Sequence, residues 1–131
     1  MKITKSADFA MRVILCLASD DKVETMPYLS EKIDIPYNNL SKLVQALSKA
    51  GIIKTKQGKN GGIQLLMKPA DISLKTILDT IDGPTRLSDC LIDHRFCTQT
   101  QGCKLKGKLL DIQNQIDTIL QNATIEDINK G

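Results

Sequence analysis

Phe9, Val13, Cys16 and Leu17 recur at spacings of three and four near the start of the chain. That is the period of a helix with one apolar face. Thr4 and Ser6 stand where a cap is needed, so a first helix is predicted to about Ala18. Cys16 lies on the apolar face and is expected to pack there as a small hydrophobe. Asp20-Asp21-Lys22 reads as a turn. Pro27 opens a short second helix over 28–33, and Asp34-Ile35-Pro36 breaks it. A third helix is predicted over 37–50, with Leu40, Leu43, Val44 and Leu47 as its buried stripe. Gly51, free to take positive φ, stops it.

The period then changes. Ile52, Ile53 and Thr55 alternate with Lys54 and Lys56 as in a strand. Gln57-Gly58-Lys59-Asn60-Gly61-Gly62 is a glycine-rich turn, and residues 63–66 read as the returning strand, giving a β-hairpin with a basic tip. The turn lacks the spacing and the Lys-Ser/Thr pair of a phosphate-cradling loop, and it leads to a strand and not a helix. Two helices joined by a short turn and followed directly by such a hairpin make a winged helix-turn-helix.

Pro69 ends the hairpin, and Ser73 can cap a fourth helix over 74–81 that Gly83-Pro84 stops. Residues 85–103 show no periodicity. From 104 to 120, Leu105, Leu109, Ile112, Ile116 and Ile119 are spaced four, three, four, three, a narrow seam of coiled-coil type. Lys106, Lys108, Gln113 and Gln115 lie off the seam. Such a seam can pack on its own core, but pairing with a second subunit is the expectation. Thr124-Ile125-Glu126-Asp127 resembles a cap opening a last short helix. The predicted fold is thus mainly α with a small β-hairpin. A winged helix-turn-helix domain covers 1–83 and a cysteine loop 84–103. A long C-terminal dimerisation helix and tail cover 104–131.

The 131 residues suffice for one domain, and with 3% aromatics and no Trp the core must be aliphatic. No run approaches the ~20 apolar residues of a membrane helix, and the N-terminus lacks a basic-then-apolar signal, so a cytoplasmic protein is expected. The net charge of +3 is unevenly spread: +4 over residues 1–66 and −1 over 67–131. The basic excess sits with the helix-turn-helix, which favours a polyanionic partner. The second helix of that motif enters the major groove by its N-terminal residues. Its polar face offers Tyr37, Asn38, Asn39, Ser41, Lys42, Gln45, Ser48 and Lys49. Asn and Gln can bond adenine N6 and N7 in pairs, while Lys and Ser hold phosphates. Lys54, Lys56, Lys59 and Asn60 put further polar groups on the wing. A dimer would read two palindromic half-sites of double-stranded DNA one helical turn, or a multiple, apart.

Of the four cysteines, Cys90, Cys97 and Cys103 cluster within fourteen residues. In a cytoplasmic chain such a group points to a metal or redox site more than to disulfides. The gaps of six and five residues contain no CxxC knuckle of the structural zinc type. They suit a loop wrapped around a larger object, such as an iron–sulfur cluster. A fourth ligand would come from His94 or from a carboxylate elsewhere in a dimer. Free thiols acting as a redox switch, and zinc, remain alternatives. An enzyme is not expected, because His94 is the only histidine and no acid–base pair stands out.

Over essentially its full length the chain resembles the Rrf family of winged-helix regulators. Met1-Lys2-Ile3-Thr4 with Asp8-Phe9-Ala10-Met11-Arg12 looks like the family's first helix. Leu43, Leu47, Ala50-Gly51 and the wing Gly58-Lys59-Asn60-Gly61-Gly62-Ile63-Gln64-Leu65 look like its most distinctive segment. The three-cysteine loop is similar to that of the iron–sulfur members, and among them to the nitric-oxide-sensing repressors. The resemblance implies a cluster held by Cys90, Cys97, Cys103 and Asp8 of the opposite subunit, of four irons in preference to two. A sister branch uses a histidine a turn beyond the last cysteine; here Lys104-Leu105-Lys106-Gly107 follow. The gap between the first two cysteines is a little longer than in the familiar loops, which leaves an iron-responsive or cluster-status regulator open.

Overall fold

The computed structural model describes residues 2–84, 86–88, 91 and 104–131. Helix α1 (Lys5–Asp20) begins at Thr4, whose side chain accepts from the Ala7 amide; Ser6 lies inside the helix. It runs two residues past the predicted end, to a left-handed Asp21 that closes it. Its apolar residues do more than form one stripe. Ala7, Phe9, Ala10, Val13, Ile14, Cys16 and Leu17 are all buried. The helix is therefore central, packed against the second, third, fourth and last helices of the chain and the second strand of the hairpin.

Helix α2 (Met26–Ile33) starts two residues before the predicted point, because Thr25 and not the proline is its cap. Asp34, in the left-handed region, turns the chain, and α3 (Tyr37–Lys49) follows from Pro36. The stripe Leu40, Leu43, Val44 and Leu47 is buried as expected. Strands β1 (Ile53–Lys56) and β2 (Gly62–Leu65) pair antiparallel, with Ile53 opposite Leu65 and Lys56 opposite Gly62. A single 3-10 turn (Pro69–Asp71) leads to α4 (Leu74–Asp82), capped by Ser73 as predicted. The last helices are α5 (Lys104–Asn122) and α6 (Ile125–Lys130), the latter capped by Thr124 on the Asp127 amide. The tail returns to the body. Leu74 donates to the Ala123 carbonyl at 2.9 Å, Ile125 donates to that of Ile72 at 2.8 Å, and the Ile125 side chain is fully buried.

Two backbone hydrogen bonds fix the wing. Glu24 donates to the Ile63 carbonyl at 2.9 Å, and Ile63 donates back to the Glu24 carbonyl at 2.7 Å. The loop before α2 thus adds a short third rung to the hairpin. The approach is so close that a Cβ at Gly62, whose φ is +153°, would collide with the Glu24 carbonyl oxygen. Gly62→Ala is expected to lower stability by about 2–3 kcal/mol, through backbone strain plus a lost rung. Urea unfolding measures it, and an unchanged midpoint would contradict the close approach.

The Glu24 side chain is buried beneath this rung, and its Oε1 has no hydrogen-bond partner among the described residues. Lys22, largely exposed, stands 4.0 Å away. Burial first, and the facing Asp20 carboxyl second, push the Glu24 pKa up. Asp20 is held down, mainly by the hydrogen bond it receives from Glu24, and it also accepts from the Cys16 thiol at 3.6 Å. Folding therefore makes Glu24 the better proton holder of the two and Asp20 the poorer one. The unfolded chain loses the Glu24 proton at lower pH than the folded one, so this group's contribution to stability falls as pH rises between the two values. Gln is a permanent mimic of the protonated form. Glu24→Gln is expected to gain stability relative to the parent as pH rises from 5 to 8, as read from urea midpoints at both.

Candidate functional site

Burial of the α3 stripe decides what its other face shows. Tyr37, Asn38, Asn39, Lys42, Gln45 and Lys49 are exposed, and Ser41 and Ser48 are half-buried at the edge. Tyr37, at the start of the helix, is 54% exposed. Pro36 precedes the helix and provides no side-chain cap. The first amides of α3 thus carry the partial positive charge of a helix start with no oxygen of the chain's own cap upon it.

One neighbour was not foreseen. An open cavity of about 570 Å³ is lined by Lys5, Phe9, Ser30, Asp34, Ile35, Pro36 and Asn39. It brings the N-terminus of α1 beside that of α3. Lys5, with its ammonium 5.6 Å from the Phe9 ring centroid, joins the basic groups near Asn39. Nothing in the periodicity marks Lys5, because the contact is made by packing α1 across the turn of the motif.

On the hairpin, Ile53 is buried while Lys54, Lys56, Lys59 and Asn60 are exposed. Strand alternation puts Lys54 and Lys56 on one face and Thr55 on the other. Gly58 (φ +90°) and Asn60 (φ +65°) carry the left-handed turn, closed by the Gly61 amide on the Gly58 carbonyl at 2.9 Å. Several cations elsewhere are paired: Arg12 with Asp8, Lys32 with Asp20, Lys75 with Asp79 and Lys130 with Glu126. Lys42, Lys49, Lys54, Lys56 and Lys59 have no carboxylate partner among the described residues. These ammonium groups are free to meet phosphates.

Asp8 lies in the first turn of α1, where a helix start favours an anion. Its carboxylate accepts from Arg12 Nε at 3.0 Å, and the side chain is 46% exposed, open to another molecule. Thr4 fixes this end of the helix by donating to the Asp82 carboxylate of α4. Cys90, Cys97, Cys103 and His94 lie outside the described residues. The chain on either side of them is anchored on α5, which begins directly after Cys103 and receives the Leu87 amide on Gln113 Oε1 at 2.8 Å.

A helix-turn-helix, a wing tied to it, and a long helix beyond a cysteine segment are the parts of a family of DNA-binding regulators. The sequence profile of the iron-dependent transcriptional regulators called Rrf2 matches residues 3–131.

The chain belongs to the Rrf2 family.

Relatives within reach include the HTH-type transcriptional regulator NsrR of Halalkalibacterium halodurans, 29% identical over 98% of this chain and 90% of that protein. NsrR of Geobacillus kaustophilus is 30% identical over 98% and 89%. Among solved structures, CymR, the global cysteine regulator of B. subtilis, superposes with a TM-score of 0.85 over 99% of this chain and 97% of that one. At 19% identity it shows the shared fold. The Rrf2 chain is thus a winged-helix transcriptional regulator, and no helix among its described residues is long and apolar enough to cross a membrane.

Lys59→Ala is expected to weaken DNA binding by a similar factor on every sequence and to reduce the salt slope of log K by about 0.9. Asn39→Ala should instead cost about 1–3 kcal/mol on the preferred operator and relax preference at one base pair. Fluorescence anisotropy at several salt concentrations separates the two. Equal slopes for the Lys59 variant and the parent would remove the wing from the interface.

Proposed function

We propose that this Rrf2 regulator works in the cytoplasm as a homodimeric repressor on palindromic DNA. Its grip would be set by an iron–sulfur cluster held by Cys90, Cys97 and Cys103 of one subunit and Asp8 of the other, with nitric oxide or redox state as the signal. The observation that carries dimerisation is the exposure of α5. Leu105 and Ile119 are 66% and 68% exposed, and Leu110 and Ile112 stand out beside them. A long helix that leaves four of its leucines and isoleucines exposed is suited to a second apolar surface. The interface itself is carried by Tyr37, Asn38, Asn39, Ser41, Lys42, Gln45 and Lys49 of α3 with Lys56, Lys59 and Asn60 of the wing.

The donor set suits iron. Three thiolates are the usual ligands of an iron–sulfur cluster, and a carboxylate is a harder, weaker fourth. When bound, the cluster would supply iron able to react with nitric oxide or oxygen, with the carboxylate as its weakest ligand. The remaining steps belong to the chain. Asp8 is already outward-facing and must exchange the Arg12 guanidinium for a new partner. Because α1 is packed against α2, α3, α4 and α6, a pull on Asp8 is a pull on the whole reading head. Cys103 precedes α5 directly, so the other end of the link is the dimer helix. The head-to-arm angle is then the element with two settings.

Asp8→Ala tests this. Since Asp8 is half exposed, the variant should fold like the parent but lose its cluster absorbance roughly tenfold faster in air, with its response to nitric oxide altered in parallel. Unchanged spectrum and unchanged response would sink the ligand assignment. Colourless anaerobic protein that still answers thiol oxidants would make the chain a cofactor-free thiol switch.

A further inference from the structure

The one buried residue of α5 is a glutamine. Gln113 is 1% exposed, on a helix whose Leu105, Leu110, Ile112 and Ile119 are exposed. Both ends of its amide are used. Oε1 accepts the Leu87 amide at 2.8 Å, and Nε2 donates to Asp117 Oδ1 at 2.9 Å, one turn along the same helix. The second Asp117 oxygen faces Arg86 Nη1 at 3.6 Å. The orientation of the amide is determined by its partners. Turned over, it would set a donor against the Leu87 N–H and an oxygen against the Asp117 carboxylate. Arg86 and Leu87 are thus held against α5 by two adjacent rungs, three residues before Cys90.

The other end of the cysteine segment is attached to the same helix, because Cys103 is followed by Lys104, the first residue of α5. Lys104 and Gln113 lie nine positions apart, about 13 Å along the axis at 1.5 Å per residue. The described residues that flank the cysteine segment, Leu87 on one side and Lys104 on the other, are therefore fixed to one rigid rod. We propose that Gln113, oriented by Asp117, is a positioning residue for the cysteine site. It sets where the chain leaves α5 toward Cys90, so that the cluster segment and the dimer helix act as one mechanical unit. The inference rests on the cluster reading given above and adds to it a residue that touches neither iron nor DNA.

The experiment uses the full chain with Gln113→Glu and the double variant Q113E/D117N, reconstituted anaerobically with iron and sulfide. The single substitution keeps the acceptor for Leu87 but loses the donor and sets a second carboxylate against Asp117. In the double variant the new amide at position 117 donates to the new carboxylate at position 113, so the rungs re-form with roles exchanged. Two readings are taken: the decay of cluster absorbance in air, and hydrogen exchange of the Leu87 amide in the iron-free protein. Gln113→Glu should speed cluster decay on the order of tenfold, the scale of an outer-shell partner lost from a metal site. Leu87 exchange should rise, with the amides of α1 unchanged, and the double variant should recover most of both effects. Unaltered Leu87 exchange in Gln113→Glu, or raised exchange with an unaltered cluster lifetime, overturns the latch. So does a double variant no better than the single one. Parent protein that takes up no iron and sulfide overturns the cluster reading instead, by a separate observation.

Discussion

The structure hangs on the burial of α1 among its neighbours. Ala10, Val13, Ile14 and Leu17 are at most 1% exposed. Each larger aliphatic side chain of this kind contributes about 1.5–3 kcal/mol by leaving water, and the small Ala7 and Ala10 let neighbouring helices approach closely. A helix held this way cannot shift alone. Anything attached to its first turn, whether Asp8 outward or Thr4 on Asp82, is attached to the recognition helix as well. That rigidity lets a local chemical event have a distant reading. Packed cores respond by choosing between arrangements, because they resist continuous deformation.

The wing depends on the same helix by a second route. The Glu24 and Ile63 backbone groups pair in the space between α1, α2 and the hairpin, and the Glu24 side chain is carried under that rung as a consequence. A two-stranded hairpin alone is marginal in water. Here the third rung, with Ile53 and Ile63 almost fully buried, anchors its base while the lysines of its tip stay in solvent. The two parts that would meet DNA, α3 and the wing, are thus fixed to each other through backbone contacts and not through surface ion pairs, which salt would screen. A high-salt loss of DNA binding therefore reports on phosphates and not on the head coming apart.

Most of this architecture is legible along the chain because its signals are local. Thr4, Ser73 and Thr124 each cap the helix expected of them, and the α3 stripe Leu40, Leu43, Val44 and Leu47 is buried residue for residue. The two-residue error at the start of α2 has a local cause too, since both Thr25 and Pro27 signal a helix start and the threonine wins. What periodicity misses is long-range. Lys5 reaches the recognition face only because α1 crosses the motif's turn, and the Glu24–Ile63 rung joins residues thirty-nine positions apart. The exposed face of α3 reads correctly as a face, but no spacing says which side chain meets a base and which a phosphate. The cysteines are recognised by spacing and resemblance, a matter of chemistry and not of fold.

Gln113 is the instructive failure of pattern reading. A polar residue off an apolar seam is ordinarily taken for a solvated one, yet here it is the buried member, while Leu105, Ile112 and Ile119 of the seam are exposed and Leu109 and Ile116 only half-buried. The physical reason lies in the Leu87 amide. A leucine at that position would bury more apolar area, but it would leave the Leu87 N–H, and the Asp117 oxygen, without the partner they have now. An unpaired buried polar group costs about 1–3 kcal/mol, comparable to what the leucine would gain. A glutamine adds what a leucine cannot: direction, since an amide fixed at both ends holds the backbone of Leu87 in one place. A helix whose inward contact is directional and polar, and whose outward contact is broad and apolar, is suited to two different tasks at once. It holds the stem of the cysteine segment in register, and it offers a surface that a second subunit can cover.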